Sequence, residues 1–128
     1  MQDGPMLAAT MPPPFVCQVQ RIHDADGPLW CANGAKVRVA GVNAREVDGS
    51  CRRGAPCPTM RHQQANPIAE RLTLGKRLMC QPVDTSYRRV VARCTLPDGR
   101  SLSCALIAAG AAVRWDRYWV RYGMGGCA

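Results

Sequence analysis

The stretch Lys36-Val37-Arg38-Val39-Ala40-Gly41-Val42-Asn43-Ala44-Arg45-Glu46 decides the fold. Valines with small residues between them suit a buried strand. Arg38 interrupts the run. A guanidinium buried without a partner is costly, so the fold must bring an anion to it. The run then exits into Asn43, Ala44, Arg45 and Glu46, polar groups where rigid strand gives way to loop, a frequent seat of function.

Working outward toward the N-terminus, Asn33-Gly34 is a strong hairpin signal. Leu29 to Cys31 reads as a short strand, and His23 to Pro28 is a turn by its Asp, Gly and Pro content. Phe15 to Ile22 alternates, with Phe15, Cys17 and Val19 on one face, and reads as a strand. The first third is thus a three-stranded meander. Residues 1–14 lack periodicity and end in prolines, which predicts a disordered or extended arm ahead of one domain over 15–128.

Toward the C-terminus, Val47 to Gln64 reads as a loop. Asn66 is placed to cap a helix with Pro67 at its first position, Ile68, Ala69 and Leu72 on one face, and Gly75 beyond its end. A fourth strand is expected over Leu78 to Val83, a turn at Asp84-Thr85-Ser86, and a fifth strand over Tyr87 to Leu96. Pro97-Asp98-Gly99 turns the chain. Ser101 or Ser103 then caps a second helix that runs through Ala109 to Gly110. The tail from Arg114 is rich in Trp, Tyr and Arg and has no clear period. Five short strands with one helix between the third and fourth predict an α+β, mainly β chain: a five-stranded Greek-key barrel of the OB-fold type, with two to three helices.

Eight cysteines fall at positions 17, 31, 51, 57, 80, 94, 104 and 127. Their number is even and no C-x-x-C pair is present, which argues against a metal–thiolate site and for a disulfide framework. Disulfides imply an oxidising compartment, so a periplasmic or secreted protein is expected. Met1 to Pro14 carries no export-signal pattern and reads as the start of a mature chain. No apolar stretch is long enough for a membrane span. Seventeen Lys and Arg against nine Asp and Glu give a net charge of +8. Such a surface attracts polyanions, nucleic acid first and acidic membrane surfaces second, unless the charge serves solubility alone.

Four constellations could carry chemistry. Asp24 and Asp26, two apart in extended chain, point the same way and could serve a hard cation, or simply make a turn. Arg38 could pair with Glu46. Tyr87-Arg88-Arg89 could bind phosphate through arginine forks, or be a solvated basic patch. In the tail, Arg114, Trp115, Arg117, Tyr118, Arg121 and Tyr122 could stack bases and meet a backbone, while Trp119 suits a hydrophobic seal.

In combination these blocks resemble the staphylococcal-nuclease-like (thermonuclease) family, from about Phe15 to Trp115. The family's D-G-D-[ST] turn reads here Asp24-Ala25-Asp26-Gly27. Its R-L-x-G-[IV]-D-[AT]-P-E reads Arg38 to Glu46, and its Y-G-R reads Tyr87-Arg88-Arg89. Asp98-Gly99 and the helix Ala105 to Ala112 complete the match. The resemblance implies a calcium-dependent phosphodiesterase on an OB-fold, acting on DNA or RNA. It implies that Arg38 and Arg89 grip the scissile phosphate and Glu46 activates water. Asp26, Asn43 and the Ala44 carbonyl would hold Ca2+, with Asp24 close by. Tyr87, with Arg88 beside it, would contact a phosphate, and Trp115 would stack a base.

The chain departs from that pattern. Asn43 stands for a calcium carboxylate, which predicts a weak metal site. Arg45 stands for a stiffening proline and adds positive charge beside Glu46; an ion pair between them would lower the basicity of Glu46. Gly27 replaces a hydroxyl residue, and Arg88 a glycine. On the barrel, Cys51–Cys57 would close a local ring. Cys17–Cys31 and Cys80–Cys94 would flank hairpin turns, leaving Cys104–Cys127 to tie down the tail. The expected function is a monomeric exported nuclease. Its rivals are an OB-fold nucleic-acid-binding module with weakened catalysis and a disulfide-stapled module binding a protein or acidic polymer.

Overall fold

The computed structural model describes residues 11–127. Of the expected N-terminal arm, residues 1–10 lie outside the described residues, and Met11 to Pro14 have no regular structure. Strand β1 (Phe15–Asp24) turns through Ala25 and Asp26 into β2 (Gly27–Cys31). The Asn33-Gly34 turn leads into β3 (Lys36–Val39), and Asn33 Oδ1 accepts the Ala35 N–H at 2.9 Å. After helix α1 (His62–Thr73) come β5 (Arg77–Ser86) and β6 (Arg89–Thr95). These five strands close a barrel in the order β1-β2-β3-β6-β5. Closure needs one parallel pairing, β3 on β6, with Arg38 opposite Val91. The molecule is therefore mainly β.

The expected Lys36–Val42 strand breaks at Ala40-Gly41, where β3 ends. Its continuation, β4 (Val42–Asn43), leaves the barrel and pairs with β7 (Val113–Arg114). Gly41 makes the bend: its φ is +78°, and a Cβ there would lie 3.0 Å from the Trp119 ring and 3.3 Å from Met124. Helix α2 (Leu102–Ala108) is capped by Ser101, whose hydroxyl accepts the Cys104 N–H. Ser103 donates to the Ala40 carbonyl at 2.7 Å, fixing α2 against the bend. Helix α3 (Asp116–Arg121) follows β7, and its Trp119 is buried.

The core is built from aliphatic residues, including Val37, Val39, Leu29, Leu78, Leu102 and Leu106, all fully buried. Four disulfides reinforce it: Cys17–Cys31 between β1 and β2, Cys80–Cys94 between β5 and β6, Cys51–Cys57 in the loop, and Cys104–Cys127 on the tail. All four are the expected pairs: two from hairpin positions, one from the local ring and the last by elimination. They point to an oxidising compartment. No helix among the described residues is long and apolar enough to cross a membrane.

Three local readings differ from the structure. Helix α1 begins at His62, so Pro67 lies inside it rather than at its first position. The buried stripe Ala65, Ala69 and Thr73 starts a turn earlier than the larger residues suggest. β5 runs on to Ser86, and the hairpin turn is Tyr87-Arg88 rather than Asp84 to Ser86, with Tyr87 at φ 56°. Seven paired residues of β6 set that register over the turn chemistry of Asp84. The tail is not irregular: it holds β7 and α3.

Candidate functional site

Strand alternation builds one wall of a pocket. Arg38 on β3 faces outward from the barrel interior, beside Val91 in the parallel register, and Arg89 lies two residues before Val91 on the same face. Asp84 and Ser86 stand opposite Val91 and Arg89 across the β5–β6 ladder. Helix α3 builds the other wall. Trp115, Tyr118, Arg121 and Tyr122 recur at helical spacing and face the sheet across a cavity of about 240 Å³. Arg52, from the Cys51–Cys57 ring, closes the rim.

The aromatic wall is ordered. Trp115 and Tyr118 meet edge to face at 4.8 Å, and Tyr118 and Tyr122 stack at 5.8 Å. The Tyr122 hydroxyl donates to Asp84 Oδ2 at 2.8 Å. Burial, with that carboxylate next, pushes the phenol well above its ordinary range, so it stays a donor. Asp84 keeps its charge, but Arg52, Arg89 and Arg121 outnumber it, so the pocket is positive on balance.

Arg38 is the floor. Its Nη1 donates to the carbonyls of Asp26 (3.2 Å) and Val39 (2.9 Å), and its Nη2 to that of Val42 (2.9 Å). The anion that burial demands is Asp26, with Oδ2 3.4 Å from Nη2. Asp26 Oδ2 also accepts the Ala44 N–H at 3.0 Å. Burial lowers the pKa of Arg38 and Asp26 raises it, and the guanidinium stays charged. Gly27 is required here because a Cβ would lie 2.6 Å from the Val37 carbonyl. The hydroxyl residue of the resemblance cannot stand at that point.

Glu46 is half-buried, and its side chain has no hydrogen bond among the described residues. Its pKa is raised, first by burial and then by Asp24 and Asp26. Its charge reaches Arg38, as do those of Arg52 and Arg89. An Arg45–Glu46 ion pair is not formed. Arg45 turns away, donating through Nε to the Pro58 carbonyl at 2.7 Å and through Nη1 to that of Gly49. A planar fork with two carbonyls in reach gains more than one exposed ion pair would.

Asp24 is buried, and its Oδ1 lies 3.1 Å from His62 Nε2, with His23 at 3.8 Å from Oδ2. Burial, followed by Asp26, raises its pKa. Asn43 is fully buried and donates through Nδ2 to the Pro56 carbonyl at 3.0 Å. Calcium takes about six to eight oxygen ligands. Here Asp26 serves Arg38 and Ala44, Asp24 faces an imidazole, and Asn43 is turned to Pro56. No group of three or more His, Cys, Asp or Glu among the described residues is placed to hold a metal. The donors present do not fit a calcium cage.

Tyr87 and Arg88 stand at the tip of the β5–β6 hairpin, Tyr87 fully exposed, and neither lines the pocket. Arg38, Arg89 and Trp115 are brought together in it, and Glu46 does not line it. Arg52 and His62 were not singled out from sequence. Arg52 had a usable signal, a basic pair inside a short Cys-to-Cys ring. His62 has none, because the small Ala65 hides the first turn of α1. No protein-family model matches the chain, and no curated protein sequence matches it.

Proposed function

We propose that the protein is a nuclease that binds single-stranded nucleic acid in this pocket and hydrolyses phosphodiester bonds there. One observation carries the reading. The guanidinium groups of Arg89 and Arg52, without hydrogen-bond or ion-pair partners among the described residues, share a cavity of about 240 Å³ with Trp115, Tyr118 and Tyr122. Arginine forks suit phosphate oxygens, and aromatic faces suit any base. The barrel order supports an OB-fold, whose sheet faces serve oligonucleotides, and supports the resemblance to the staphylococcal-nuclease-like family. Four disulfides support a periplasmic or secreted setting.

In this reading Arg89 holds the scissile phosphate against the floor that Arg38 makes. Glu46 stands outside the pocket lining but close enough for its charge to act on Arg38, and it takes a proton from the attacking water, which its raised pKa favours. The P–O ester bond breaks, and the leaving oxygen takes its proton from solvent. The guanidinium groups offset the charge gained in the transition state. Labelled DNA and RNA oligonucleotides test this, with and without EDTA. Glu46→Gln should bind and fail to cleave, and Arg89→Ala should lose both. Arg89→Ala as active as the parent rejects the mechanism.

The second reading is binding without turnover. It is favoured by Arg38 itself, both of whose Nη atoms are already spent on carbonyls and Asp26. It predicts salt-sensitive retention of oligonucleotide with no product.

A further inference from the structure

Asn43 and Arg45 share one task. Asn43 donates to the Pro56 carbonyl and Arg45 to that of Pro58, on either side of Cys57. Both residues hold the same short ring, closed by Cys51–Cys57 and tightened by the Ala55 N–H donating to the Arg52 carbonyl at 3.0 Å. Arg52 is the first residue inside that ring. Its side chain lines the pocket with Arg38 and Arg89. It carries no hydrogen bond or ion pair among the described residues, and its charge reaches both Arg38 and Glu46. Arg52 and its ring neighbour Arg53 are both exposed, but Arg53 does not line the pocket.

We propose that the Cys51–Cys57 ring, clamped by Asn43 and Arg45, presents Arg52 as a phosphate-binding guanidinium of this pocket. The inference rests on the nucleic-acid reading above and deepens it. A flexible arginine loses side-chain entropy when it meets a phosphate. The Cys51–Cys57 bridge beside it and the Ala55 N–H on its own carbonyl hold the Arg52 backbone, which lowers the ordering left to be done on binding. Two positions that depart from the family pattern, Asn43 and Arg45, are thus the ones that anchor the ring.

The test is fluorescence anisotropy of a labelled single-stranded oligonucleotide over a salt series, using the full disulfide-bonded chain. Arg52→Ala should weaken binding about tenfold at low salt and cut the salt slope by roughly one contact. Arg52→Lys should keep the slope. Arg53→Ala should leave both unchanged. Cys51→Ser/Cys57→Ser should weaken binding and make a further Arg52→Ala change nearly silent, its fold checked by thermal melting against the parent. Arg52→Ala behaving like Arg53→Ala, with the parent binding tightly, overturns the assignment of Arg52 alone. No binding by the parent at low salt overturns the nucleic-acid reading and this inference with it.

Discussion

Arg38 and Asp26 set the local physics. Each is nearly buried, and each satisfies the other's charge. Removing one partner of a buried pair costs about 3–5 kcal/mol. Asp26→Ala should therefore lose that much stability by chemical denaturation, equally in EDTA and in calcium. A carboxylate kept only for metal would leave stability in EDTA unchanged. Glu46 makes the pH prediction. Its proton is held more tightly in the folded chain than in the unfolded one. Stability from this group is present below the ordinary glutamate value and is lost as pH rises through the raised one. Catalysis needs the ionised form, so the acid limb of kcat/KM should lie above the ordinary glutamate range. A limb inside that range would show a solvated carboxylate.

At the scale of elements, the bend at Gly41 joins the two walls. The Trp115 N–H donates to the Gly41 carbonyl at 2.8 Å, and Trp119 packs over it. Gly41→Ala would force a Cβ toward that ring at a left-handed φ and should cost about 1–3 kcal/mol, read as a lowered Tm. A neutral effect would mean that α3 is free to shift. The barrel strands were legible because Asn33-Gly34 and Pro97-Asp98-Gly99 punctuate alternating runs. Helix α3 was not, since six residues give little period and Trp119 on its buried face is as aromatic as Tyr118 on its pocket face. The start of α1 was hidden because Ala65 is small. Arg38 announced its need for an anion, and Asp26 lay in a quoted motif. That Asn43 and Arg45 would hold a disulfide ring required the fold, because their carbonyl partners at Pro56 and Pro58 carry no side-chain signal.

For the whole molecule, a net charge of +8 and a small core give two expectations. Single-strand affinity should fall with salt at a log–log slope of about −0.7 per neutralised phosphate, so near −2 if Arg52, Arg89 and Arg121 all engage. A slope near zero would mean the charge serves solubility. A native bridge is worth about 2–4 kcal/mol, so full reduction should unfold the chain near room temperature. Survival of the reduced chain to high temperature would show that the small apolar core suffices. The central claim is that phosphate enters between the barrel wall and α3, and arginine side-chain NMR tests it most directly. On titration with a thymidine bisphosphate, the Nε–Hε signals of Arg89 and Arg52 should shift together while that of Arg53 stays still. Shifts confined to Arg88 at the hairpin tip, with Arg89 and Arg52 unmoved, would contradict it.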